Sequence, residues 1–86
     1  MKIGGLYYMP ISRVLDEYED PTQHHCQPVM LDIVNPQEPF ILLDTVEVYN
    51  QYNHKMGYSR HKVLNKAGLV GWISDTFDCL REVREA

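Results

Sequence analysis

The sequence predicts an all-β domain, a small antiparallel barrel of five or six strands with a long first loop and at most one short helix. Three observations lead there. Val29-Met30-Leu31-Asp32-Ile33-Val34 puts Val29, Leu31 and Ile33 on one face at period two, the pattern of a half-buried strand. Short runs of β-forming residues are punctuated by Pro10, Pro21, Pro36, Pro39, Gly68 and Gly71. The chain has 86 residues, room for one core, so 1–86 reads as one domain. Closure into a barrel suits short strands because it hides the edges that an open sheet exposes.

The elements follow in order. Ile3 to Met9 is rich in β-formers and stops at Pro10. Residues 10–27 form a long polar excursion in which Ser12 to Tyr18 leaves room for one helical turn and Pro21 stops anything longer. After the strand at 29–34, Asn35-Pro36-Gln37-Glu38-Pro39 has the chemistry of a turn. Phe40 to Leu43 reads as a buried strand that Asp44 interrupts and Thr45 to Tyr49 resumes. Asp44 with Glu47 also matches a capping box, so a short helix is the alternative there. Residues 50–57 read as a polar loop and Tyr58 to Leu64 as a strand. Asn65-Lys66-Ala67-Gly68 is a hairpin turn, with Gly68 free to take positive φ. Leu69 to Ile73 is the clearest strand, and Gly71 within it marks a bulge or a close backbone approach. A turn through 74–78 leads to a closing edge strand, Leu80 to Val83.

Charge and cysteine usage narrow the function. The net charge is −4, and it is uneven: residues 1–50 hold two cations against eight acids, residues 51–86 six against four. An acidic chain is a poor match for phosphate backbones, where affinity comes largely from charge neutralisation. Cys26 and Cys79 are far apart and form no C-x-x-C pair, which fits free thiols in a reducing cytoplasm better than a disulfide framework. The first ten residues lack the long apolar run of a signal peptide, and nothing approaches the ~20 apolar residues of a membrane span. The expectation is a soluble cytoplasmic protein.

Catalytic and metal chemistry find little purchase. His24, His25 and Cys26 are ligand types for zinc, but three adjacent residues seldom all reach one tetrahedral ion. No metal and no cofactor is therefore assigned. Asp16, Glu17, Glu19 and Asp20 lack the alternation, central glycine and terminal glutamate of a calcium loop. Ser12, Ser59, Ser74, Cys26 and Cys79 stand in no nucleophile motif, and no glycine-rich phosphate loop is present. The chain is expected not to be an enzyme.

Gly68-Leu69-Val70-Gly71-Trp72-Ile73, after Lys62 to Ala67, resembles the distal hairpin of SH3-like domains, which run strand, G-x-x-G-aromatic-aliphatic, short turn, last strand. Phe77 falls where the aromatic of that turn is expected, and Gly5-Leu6-Tyr7-Tyr8 loosely resembles the family's A-L-Y-D-Y start. The short chain is also similar to small SH3-like proteins of tailed phages, which would place it in the host cytoplasm. The tryptophan pair of the signalling domains is missing and Ser74 stands where their groove has proline, so proline-rich peptide binding is not implied. Laid on this chain, the family's pattern gathers Tyr7, Tyr58, Trp72 and Phe77 on one side, beside a loop carrying Asp16 and Glu17.

Two functions of different class follow. One is a non-catalytic adaptor or inhibitor-like module that binds another protein through this aromatic and acidic face. The other is a nucleic-acid-associated barrel using the basic 55–66 segment, where Lys55, Arg60, Lys62 and Lys66 interleave with Tyr52 and Tyr58 nearby. The acidic net charge favours the first.

Overall fold

The computed structural model describes residues 2–83, and within them every regular element is a strand. The strands are β1 (Leu6–Tyr8), β2 (Arg13–Glu17), β3 (Val29–Val34), β4 (Phe40–Tyr49), β5 (Lys55–Leu64), β6 (Val70–Asp75) and β7 (Arg81–Glu82). They form one antiparallel sheet in the order β3-β2-β6-β5-β4-β1-β7, curled into a half-barrel. The fold class expected from the sequence is thus the observed one, with seven strands instead of five or six.

Three local differences account for the count and the main lengths. In one, β5 begins at Lys55, inside the 50–57 stretch read as a polar loop, where pairing with Tyr49 holds it extended. Arg13–Glu17 is a strand inside the segment read as a polar loop with a helical turn. Only Val14 and Leu15 among its five residues are apolar, so its period-two signal is too short to see. Pairing to β3 on one side holds it extended. Asp44 does not interrupt β4. A register shift between Leu42 and Asp44 takes up the irregularity, and the strand runs ten residues unbroken.

Alternation sorts the side chains. Leu42, Val63 and Gly71 are successive cross-strand partners on the inner face, as are Thr45, His61 and Ile73. The core joins Tyr7, Met9, Leu15, Val34, Phe40, Leu42, Val63 and Ile73, so six of the strands contribute to one cluster. Gly71 is required by this packing. A Cβ there would lie 2.8 Å from Leu15 Cγ and 3.0 Å from the Asp16 carbonyl oxygen, so β2 could not approach β6. Gly68, at φ 83°, closes the β5–β6 hairpin and donates its N–H to the Asn65 carbonyl.

The β4–β5 hairpin runs on to the Tyr49–Lys55 pair, and the molecule measures 45 by 23 by 21 Å. The 18–28 segment folds back along the hairpin as a strap. Tyr49 N–H donates to the Thr22 carbonyl and His24 N–H to the Tyr49 carbonyl, both at 2.7 Å. No helix among the described residues is long and apolar enough to cross a membrane.

Candidate functional site

One row of cross-strand partners crosses five strands: Asp44 on β4, Lys62 on β5, Trp72 on β6, Asp16 on β2 and Met30 on β3. Each neighbour of Trp72 and Asp16 along its own strand that is buried, Gly71, Ile73 and Leu15, points inward. By alternation Trp72 and Asp16 lie on the outer face. Asp16 and Trp72 are the single register pair that joins β2 to β6. Burial pushes the Asp16 carboxyl above its ordinary value, against smaller opposing pulls from the Tyr18 hydroxyl and the Arg60 guanidinium. A half-buried acid, a half-buried aromatic ring and an exposed thioether thus sit side by side on the outer face.

The next part of the outer face is closed by the strap. Arg60, 3% exposed, donates from Nη1 to the carbonyls of Pro21 and Gln23, both at 2.9 Å. Its guanidinium lies 4.0 Å from the Tyr18 ring centre and 5.9 Å from that of Tyr58. The Tyr58 hydroxyl meets His24 Nδ1 at 2.8 Å, and Tyr18 bonds Asp16 at 3.4 Å. A continuous polar and aromatic chain therefore links Trp72's neighbour Asp16 to the strap.

The sequence-predicted site residues divide. Trp72 and Asp16 are brought together, and Tyr58 lies on the same side of β5 at the strap. Glu17 is exposed opposite Val29, and Phe77, 79% exposed, projects from the β6–β7 turn. Tyr7 is not on this face. It is 5% exposed in the core, where its hydroxyl accepts the Lys2 N–H at 2.7 Å. Sequence reasoning missed Asp44, Met30 and Tyr18, whose roles depend on register and on the return of the strap. The period-two reading of 29–34 put Val29, Leu31 and Ile33 on the buried face, but Val34 is the buried residue, and Val29, Met30 and Ile33 are exposed. The register shift between Leu15 and Asp16 on the facing strand breaks the simple alternation.

Of the basic residues in 55–66, Arg60 is committed to the strap, Lys55 pairs with Glu47 at 3.1 Å and Lys66 with Glu38 at 3.3 Å. Lys62 sits in the row beside Trp72. His24 turns to Tyr58, while Cys26 Sγ accepts the Asp20 N–H at 3.5 Å. Among the described residues no three His, Cys, Asp or Glu side chains converge as a metal site, and both cysteines are free thiols.

Beneath the outer face, the inner face holds a second polar chain. His61 Nε2 lies 3.0 Å from Asp75 Oδ2, and its Nδ1 lies 2.9 Å from Thr45 Oγ1. Asp75 also accepts the N–H of Cys79 at 2.7 Å and of Leu80 at 3.3 Å, so one carboxylate holds both the imidazole and the turn into β7. Burial raises the Asp75 carboxyl, but the Cys79 amide, His61 and the Leu80 amide together outweigh it and leave the carboxyl below its ordinary value. The Asp75 and His61 side chains are both 2% exposed, which makes this chain an internal fastening of β4, β5 and β6. Against known proteins, no family model, no characterised sequence and no solved structure matches the chain.

Proposed function

We propose that this domain is a non-catalytic protein-binding module of SH3-like barrel type whose docking face is centred on Trp72. The observation that carries the reading is the row Asp44, Lys62, Trp72, Asp16, Met30: a large half-buried ring on the outer face with one carboxylate beside it and a second beyond Lys62. A ring of this kind contributes large contact area with few rotatable bonds, and carboxylates add charge-assisted bonds to an arginine or lysine. The distal-hairpin pattern around Gly68, Gly71 and Trp72 supports the barrel type and, through it, an adaptor or inhibitor-like role in a cytoplasm, that of the host if the chain is a phage's. The competing nucleic-acid reading loses support because Arg60, Lys55 and Lys66 are each engaged within the fold.

Selection from a random-peptide library on the folded protein tests the proposal. The expected result is enrichment of peptides joining Lys or Arg to an apolar residue, with binding abolished by Trp72→Ala. Peptides that bind the Trp72→Ala protein equally well would overturn it. So would steeply salt-dependent binding of single-stranded DNA in place of peptide.

A further inference from the structure

Next to the Trp72 row, the outer face carries a second row of four successive cross-strand partners: Leu6 on β1, Ile41 on β4, Leu64 on β5 and Val70 on β6. All four are aliphatic. Leu6, Ile41 and Val70 are 44%, 38% and 46% exposed, and each follows or precedes a buried inward residue, Tyr7, Leu42 or Gly71. At the Leu6 end the row runs into a cleft of about 680 Å³, lined also by Tyr8, Pro39 and Val83 and by the polar Gln37, Arg81 and Glu82. Scattered surface aliphatics need no explanation, but an unbroken line of them across four strands into a cleft does.

We infer that the docking face extends along this row, and that its occupant is an extended segment of another protein. That segment has aliphatic side chains at alternate positions and a lysine or arginine toward the Trp72 row. The inference rests on the reading of Trp72 as a docking centre. Charge selects the partner's chemistry: in the Trp72 row, which borders the aliphatic one, Asp44 and Asp16 outnumber Lys62, and Arg81 and Glu82 offset each other at the cleft. A chain of net charge −4 would set acid against acid if a second copy docked here. Curvature selects its conformation. Strands in a sheet are about 4.8 Å apart, and side-chain tips on the convex side of a curled sheet spread wider than that. The spread approaches the roughly 6.6–6.8 Å step between alternate residues of an extended chain. A straight helix would leave a convex surface after the contacts nearest its middle, whereas an extended chain bends with it.

The test uses three blocked peptides of equal length: alternating Val and Thr ending in two lysines, the same ending in two glutamates, and a Leu/Lys amphipathic helix. Binding is followed by amide chemical shifts and by Trp72 fluorescence. The expected result is binding of the extended lysine peptide alone. Shifts should cover residues 6, 41, 64, 70 and 72, and Ile41→Glu should weaken binding at least about tenfold with no change in melting temperature. Val70→Glu, at the exposed end of the row, serves if Ile41→Glu does not fold. Shifts confined to Trp72, Asp16 and Asp44 and indifferent to Ile41→Glu would overturn the extension while leaving the Trp72 face standing. Tighter binding of the helix, or a dimer dispersed by Ile41→Glu, would overturn the proposed occupant. Failure of every peptide, together with a barren library selection on the native protein, would remove the face as a whole.

Discussion

Arg60 and His61 are neighbours on β5 and are almost equally buried, 3% and 2% exposed, yet they are buried by different means on opposite faces. His61 is satisfied from within the sheet, by Thr45 on β4 and Asp75 on β6. Arg60 is satisfied by main-chain carbonyls of a segment that folds back from 35 or more residues earlier, and its Nε has no hydrogen-bond partner. The inner chain fastens three strands, so losing it opens the sheet. The outer cluster fastens a strap, so losing it uncovers one end of a face. The strap's bonds gather at Arg60, so the outer face has one end closed over Arg60 and another, around Lys62 and Trp72, that is half-buried.

Breaking the inner chain should have the largest effect. Asp75→Ala strands a buried imidazole and two turn amides, and should cost about 3–5 kcal/mol in a urea unfolding experiment. A related pH dependence follows from the same carboxyl. Its folded-state pKa lies below the ordinary 3.8, so it stabilises the fold above that value. This contribution should be lost as pH falls from about 4 through the folded-state value, and Asp75→Asn should flatten that part of the stability profile. Gly71→Val should come next, at about 1–3 kcal/mol, because any Cβ there meets Leu15 and the β2 main chain. An unchanged melting temperature would mean that β2 and β6 are not held this close.

The outer cluster should give a smaller and more local response. Arg60→Met keeps most of the stem's packing but leaves the Pro21 and Gln23 carbonyls without their donor, for an expected cost of about 1–3 kcal/mol. Amide exchange sharpens the comparison. Protection at Tyr49 and His24 should fall while that at Ile73 persists. Equal loss at both places would show that strap and barrel unfold as one unit. Lys62→Ala, on the half-buried part of the row, should change stability by less than about 0.5 kcal/mol.

Much of this division was legible in the sequence. The existence of strand β3, the β5–β6 hairpin and the need for glycine at 71 follow from β-forming runs and turn chemistry, but the face of β3 does not: Val34 is buried, and Val29 and Ile33 are exposed. Even the inward placement of His61 and Asp75 has a parity signal, since each stands two residues from a core apolar residue, Val63 and Ile73. Their meeting does not, because residues 45, 61 and 75 come together only through the register of three strands. Strand β2 was hidden by its own charges: Arg13, Asp16 and Glu17 leave two apolar residues to announce it. Tyr7 was matched to an aromatic surface by resemblance, whereas its strand partner Phe40 is itself buried and Tyr7 packs inward with it. Arg60 read as a surface cation because nothing local shows that a distant loop returns to cover it.

The central claim is that Trp72 serves contact with a partner more than packing within the domain, and one protein tests it. Trp72→Ala should melt within a few degrees of the native protein, since the ring is flanked by Lys62 and Asp16 on the outer face and lies outside the core cluster. Affinity for a library-selected peptide should nevertheless fall by about 2 kcal/mol or more, some thirtyfold. A Trp72→Ala protein that unfolds would make the ring a packing residue, and a folded one with undiminished affinity would contradict the account outright.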